Sequence, residues 1–151
     1  MKAVIQRCRS ASVKVEKKIV GEIRQGLVIF LGVAQSDDDS CAERLAKKIA
    51  TLRIFDDAEG KFNFSLHDIS GSALVVSNFT LYGDSQKGTR PNFRAAASAD
   101  QANRLYESFA KLLCEQSITV QKGVFAATME VEVINDGPVT LILESNAVLP
   151  I

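Results

Sequence analysis

The sequence predicts one compact α/β domain with roughly seven to nine strands and two long helices. Three observations predict it. Leu27-Val28-Ile29-Phe30-Leu31-Gly32-Val33 and Ala73-Leu74-Val75-Val76 are continuous apolar runs, the pattern of strands buried on both faces. Ala42, Leu45, Ala46, Ile49 and Leu52 recur at helical spacing, as do Ala102, Leu105, Tyr106, Phe109, Leu112 and Leu113. From Ala11 to Glu16 apolar and polar residues alternate, as on a strand with one buried face. No repeat, low-complexity block or linker divides the 151 residues, a length that suits a single domain.

Taken in order, Met1 to Gln6 is apolar apart from Lys2 and Gln6 and reads as a strand, with Ala11 to Glu16 as another. Glu16-Lys17-Lys18 reads as a turn and Ile19 to Ile23 as a short return strand. Asp37-Asp38-Asp39 is suited to cap the first helix and complement its dipole. Phe55 to Lys61 has turn composition. Its acidic residues lack calcium-loop spacing, so a solvated turn is expected there. The strand at Ala73 runs straight into Ser77-Asn78-Phe79-Thr80-Leu81, and Gly83 to Arg94 follows as a loop carrying Lys87, Arg90 and Arg94. Ser98 followed by Gln101 is a capping-box signature for the second helix.

Ile118 to Gln121 reads as a strand and Gly123 to Thr128 as a loop. The strand-like runs Met129 to Ile134 and Val139 to Leu143 flank Asn135-Asp136-Gly137-Pro138-Val139-Thr140, which on its own reads as a β-hairpin. Gly137 can take positive φ, and Pro138 makes the bond before it the one place nearby where cis is tolerated. Residues 145–151 show no pattern. The expected organisation is therefore a domain over residues 1–144 and a C-terminal tail over 145–151.

Composition excludes several function classes. Lys plus Arg and Asp plus Glu balance at 18 each, so a nucleic-acid partner would be gripped locally, over few phosphates. No apolar run reaches membrane-spanning length and the N-terminus lacks an h-region, so a soluble, cytoplasmic protein is expected. Cys8, Cys41 and Cys114 are odd in number and widely spaced, as expected of reduced thiols. A single histidine, His67, cannot build a His-rich site, and no metal or cofactor is expected. There is no G-x-S-x-G elbow, Walker A or G-x-G-x-x-G.

What remains reads in two ways at each place. Ser77 to Leu81, at the carboxyl end of a buried strand, is placed for a binding site. Alternatively, Ser77 and Thr80 satisfy local backbone groups and Phe79 is core. Arg90 and Arg94 suit bidentate phosphate contacts, or simply belong to a solvated loop. Phe125 and Met129 make either an apolar slot for a base or part of the core. Thr80 as a nucleophile lacks a nearby general base, and a thiol nucleophile would need His67 beside a cysteine.

Ser77-Asn78-Phe79-Thr80-Leu81 and Asn135-Asp136-Gly137-Pro138-Val139-Thr140 resemble the two signatures of the D-aminoacyl-tRNA deacylase family, Ser-Gln-x-Thr-Leu and Asn-x-Gly-Pro-x-Thr. Val4 to Arg7, Arg53 to Asp56, Arg90 to Phe93 and Gly123 to Met129 resemble it too, so the likeness runs from Met1 to about Glu144. The resemblance implies a barrel-like layered β/β/α sandwich of mixed sheets. It also implies a homodimer that hydrolyses the ester between a D-amino acid, or glycine, and the terminal adenosine of tRNA. That activity is chiral proofreading and uses no cofactor.

The resemblance further implies a cis Gly137–Pro138 bond that enters the partner subunit's active site, where its carbonyl oxygens exclude L-residues by sterics. Arg7 would hold that corner, and Asn135 and Thr140 would accompany it at the substrate. Ser77, Asn78, Phe79 and Thr80 would form the catalytic pocket, with Phe125 and Met129 near the adenine. Asn78 departs from the pattern, since the family usually has Gln there and the shorter side chain reaches less far. Two rivals stand beside this reading: an RNA-end binding module without catalysis, and a thiol-dependent hydrolase.

Overall fold

The computed structural model describes residues 1–145. Its longest-paired strand is β1 (Lys2–Val15), which merges the two opening strands expected from the pattern into one of 14 residues. The alternation that would have revealed this breaks at Arg7 and Cys8, both of which are buried. On one edge β1 pairs antiparallel with β3 (Gly26–Gly32) through its first half and with β2 (Lys18–Ile23) through its second.

The sheet continues from β3 to β6 (Ser72–Ser77) and β7 (Thr119–Lys122), both pairings parallel. The order β2-β1-β3-β6-β7 curls until its two ends nearly meet. A Cβ on Gly21 of β2 would sit 2.8 Å from the Lys122 carbonyl oxygen of β7, so only glycine permits that approach. The mixed, barrel-like sheet expected from the family resemblance is what the structure contains.

Because the sheet is curled and covered, its central strands bury both faces. Leu27, Ile29, Leu31, Ala73 and Val75 pack toward α1 (Asp39–Thr51) and α2 (Ala99–Glu115), against Leu45, Ile49, Leu105 and Phe109. The alternate residues Val28, Leu74 and Val76 pack inside the curl with Cys8, Val13 and Ile23. This is why those strands read as unbroken apolar runs.

The helices start where the sequence placed them, with changes of detail. Asp38 is the α1 cap, accepting from the Cys41 N–H at 3.1 Å. Asp37 does not cap; its buried carboxylate takes the Met1 amino group and the Ala34 N–H. At α2 only half of the capping box forms. Ser98 accepts from the Gln101 N–H, while the Gln101 side chain turns away to the Gln35 and Asp37 carbonyls, tying α2 to the segment between β3 and α1.

The expected solvated turn after Phe55 is present but sits inside a small hairpin, β4 (Phe55–Asp56) with β5 (Phe62–Phe64). Asp57 organises its loop by accepting from the Glu59 and Lys61 N–H groups, and these bonds hold its carboxyl below the usual range.

The last strand overturns one expectation. Asn135 to Thr140 is not a hairpin: β8 (Glu130–Glu144) is a single strand, antiparallel to β1 along almost its whole length. Thr140 opposes Gln6 and Asn135 opposes Cys8, so five steps on β8 match two on β1. The intervening residues bulge out of the ladder and the chain resumes in its original direction. Composition cannot tell such a bulge from a reversal, since both want Asn, Gly and Pro. Of the tail expected at 145–151, only Ser145 lies within the described residues, its N–H donating to the Met1 carbonyl.

Candidate active site

The carboxyl ends of β3 and β6 open onto a cleft of about 420 Å³. β6 delivers Ser77 and Asn78 to its rim, and the chain then tightens into a 3₁₀ turn, Phe79–Tyr82. Leu31 and Val33 form one wall, Ala102 and Tyr106 of α2 another, and Phe125 with Met129 a third. The Tyr106 hydroxyl is buried and donates to the Val75 carbonyl at 3.0 Å, which pins α2 to β6 beneath the cleft. Burial of that ring drives its pKa upward, so it stays a neutral donor.

Five predicted residues therefore meet in one cleft: Ser77, Asn78, Phe79, Phe125 and Met129. Thr80 sits at the mouth, exposed, with its hydroxyl donating to the Asn78 side-chain oxygen. That bond engages both side chains with each other. The N–H groups of Phe79 and Thr80 open the 3₁₀ turn, where no carbonyl of the turn itself can receive them.

Phe79 is 58% exposed and is not core; its ring makes an edge contact with Phe93 at 5.1 Å. Through Phe93 the basic loop lies against the mouth of the cleft, and Arg90 and Arg94 on it are exposed. Sequence reasoning missed Phe93, which has no periodic signal, and Tyr106, whose place in the apolar stripe of α2 made it look like core alone.

The remaining predicted residues form a second cluster on the β8 bulge, and none of them lines the cleft. Gly137 and Pro138 are exposed at its tip and the bond between them is cis. Gly137 has φ 131°, and a Cβ there would come within 2.8 Å of the Val139 side chain, so glycine is required. Asn135 closes the base. Its side-chain oxygen accepts from the Val139 N–H at 3.0 Å and its amide nitrogen donates to the Val139 carbonyl and the Thr140 hydroxyl. Gln6 donates to the same hydroxyl. The Asn and Thr of the motif thus staple the bulge shut.

Arg7 rises from β1 beneath the bulge, with only 5% of the residue exposed. Its Nε donates to the Asp136 carbonyl at 3.0 Å, and one terminal nitrogen donates to the Ile54 carbonyl at 2.9 Å. The same nitrogen lies 3.2 Å from the Asp56 carboxylate.

The cysteines stand apart from both clusters. Cys8 is buried, and desolvation, with a smaller contribution from the Asp136 carboxylate, pushes its thiol up to about 11. Cys41 is buried in α1, and Cys114 is exposed on α2 beside Lys111 and Lys122, away from the cleft. Among the described residues no group of three His, Cys, Asp or Glu is arranged to hold a metal ion. No helix among them is long and apolar enough to cross a membrane.

A family profile described as D-Tyr-tRNA(Tyr) deacylase matches residues 4–144, a span that contains both clusters. The chain belongs to that family. Proteins called D-aminoacyl-tRNA deacylase from Chloroflexus aurantiacus and Fervidobacterium nodosum are 56% and 51% identical to it. The first match covers 96% of this chain and 91% of the relative, and the second covers 98% and 99%. A solved structure described as c-Myc DNA Unwinding Element Binding Protein superposes with a TM-score of 0.91. It is 38% identical, over 97% of this chain and all of that one. Another, described as a probable eukaryotic D-amino acid tRNA deacylase, shares the fold at a TM-score of 0.82 and 16% identity. For this member of the deacylase family, the separation of cleft from bulge within one chain is the feature a mechanism has to use.

Proposed function

We propose that the protein hydrolyses the ester that joins a D-amino acid, or glycine, to the terminal adenosine of tRNA. The observation that carries this reading is the cleft: an apolar slot walled by aromatic and methionine side chains, with the backbone N–H groups that open the 3₁₀ turn beside it. The adenine lies between Phe125 and Met129, and the ester carbonyl lies at the Phe79 and Thr80 N–H groups. Those donors stabilise the oxyanion as water attacks. An aminoacyl ester is already activated, so orientation and oxyanion stabilisation suffice without a strong nucleophile. The Thr80 hydroxyl is engaged with Asn78 and serves to position the rim. Arg90 and Arg94 take the phosphates next to the terminal nucleotide.

Selectivity in this reading belongs to the bulge of a second copy. The Gly137–Pro138 tip is exposed, outside its own cleft and firmly held by Arg7 and Asn135, so it is fit to enter another subunit's cleft. A second copy also suits the surface beside it. Among the described residues β8 pairs only with β1, which leaves its other edge open there, and Ile134 and Ile142 on it are 50% and 68% exposed. Backbone carbonyls at a rigid tip leave room for hydrogen on one side of the substrate Cα and none for a side chain, so L-residues are rejected by clash.

The test is deacylation by purified protein. D-aminoacyl-tRNA and glycyl-tRNA should be hydrolysed and L-aminoacyl-tRNA spared, with activity unaffected by chelators. Equal turnover of both enantiomers removes the chiral reading. Tight binding of tRNA ends without turnover favours the RNA-end binding module. Loss of activity when all three cysteines are replaced favours a thiol hydrolase.

A further inference from the structure

The β4–β5 hairpin is remote from the cleft in sequence and lines none of it, yet two of its residues, Asp56 and Phe62, reach Arg7. A guanidinium this deeply buried needs partners for its charge and its donors. The bulge supplies one close contact, the Asp136 carbonyl on Nε, with the Asp136 carboxylate further away at 3.6 Å. Ile54, just before the hairpin, and both hairpin strands supply the others. The Ile54 carbonyl and the Asp56 carboxylate take a terminal nitrogen, and the Phe62 ring lies against the guanidinium with its centroid 5.5 Å from Cζ. Phe62 is 57% exposed and does not belong to the core, yet its ring lies against Arg7.

We infer that Asp56 and Phe62 are positioning residues for the Gly137–Pro138 tip, acting through Arg7. The inference rests on the reading of the tip as the chiral gauge. Asp56 fixes one end of the guanidinium plane and Phe62 covers its face, which leaves Nε aimed at the Asp136 carbonyl. Gly137 sits on the same group, since a Cβ there would be 3.2 Å from an Arg7 terminal nitrogen. A rotation of the guanidinium therefore changes the tip's orientation directly. The hairpin forms a separate two-stranded sheet, anchored in the core by Phe55 and closed by the Asp57-centred loop, with Asp56 and Phe62 left to face Arg7.

The experiment uses Asp56→Asn, Phe62→Ala and Phe62→Tyr in the full chain, with Arg7→Lys as reference. Two readouts are taken. The first is hydrogen exchange at the Arg7 Nε–H by nitrogen-15 NMR. The second is the ratio of kcat/KM for D- against L-aminoacyl-tRNA. Asp56→Asn and Phe62→Ala should each speed exchange and lower the ratio by about tenfold, the scale set by weakening one hydrogen bond to a charged group. Phe62→Tyr, which keeps the ring, should match wild type in both. Unchanged Arg7 exchange in Asp56→Asn and Phe62→Ala overturns the inference. So does a ratio that falls in Arg7→Lys but in neither hairpin variant. A ratio unmoved even in Arg7→Lys overturns the reading of the tip as gauge, and the role assigned to the hairpin with it. Because Phe62 is exposed and outside the core, Phe62→Ala folds even if Asp56→Asn does not.

Discussion

Asn135 shows how one side chain substitutes for a strand. Where β8 leaves the ladder, the Val139 N–H and C=O lose their partners on β1, and the Asn135 amide supplies both. Asn135→Ala should cost about 1–3 kcal/mol, the range for leaving part-buried polar groups unpaired, as measured by urea unfolding. It should also reduce D-aminoacyl-tRNA turnover, because the tip is no longer stapled. Asn135→Asp keeps the acceptor for the Val139 N–H and should fall between. Cys8 makes a second prediction at this scale. Its thiol titrates near 9.0 in an unfolded chain and at about 11 when buried, so the folded state holds the proton longer. Stability from this group is therefore complete below pH 9 and falls as pH rises from 9 toward 11. Cys8→Ala should flatten that alkaline limb in thermal melts without removing deacylase activity.

The elements carry their own instructions in their termini. Asp38 caps α1, and hydrogen bonds from the Ser40 hydroxyl and then the Cys41 N–H hold its carboxyl below the ordinary 3.8. A depressed carboxyl stabilises the fold fully above the unfolded value and stops doing so as pH falls through its folded value. Asp38→Ala should therefore lower the melting temperature at neutral pH, with the gap to wild type closing only on acidification below about pH 4, near the unfolded carboxyl value. At α2 the same signature is split: Ser98 caps, and Gln101 instead reaches the segment before α1. A capping box in sequence is a local instruction, and a nearby carbonyl can outbid half of it.

At the scale of the molecule, two separate clusters and one exposed tip make a specific demand. If the tip of one subunit completes the cleft of another, an active site has parts from two chains. Mixing a cleft variant such as Phe79→Ala with a bulge variant such as Gly137→Ala should then recover activity. Random exchange puts one intact composite site into each mixed dimer, so an equal mixture should regain roughly a quarter of wild-type activity per subunit if each parent is inactive. Recovery absent after verified subunit exchange would place the tip at its own chain's site. The two long helices cover one face of the sheet and leave β8 as an open edge, so the surface for such pairing is built into the layering.

The sequence by itself determined the helices, the doubly buried strands and the residue types of both clusters. These follow from periodicity and from turn chemistry, which are local properties of a chain. It determined that Ser77 to Phe79 meets Phe125 and Met129 only by way of the family resemblance, since nothing local links residues so far apart. Tertiary structure alone decided that Lys2 to Val15 is one strand, that Asn135 to Thr140 is a bulge, and that the β4–β5 hairpin lies against Arg7. Each of these is a matter of pairing. Whether a Gly-Pro segment reverses or bulges depends on the strand across from it, and β1 accepts both arms of β8 in the same direction. A buried arginine likewise looks like a surface residue until the carbonyls and carboxylate that hold its charge are brought from elsewhere in the chain.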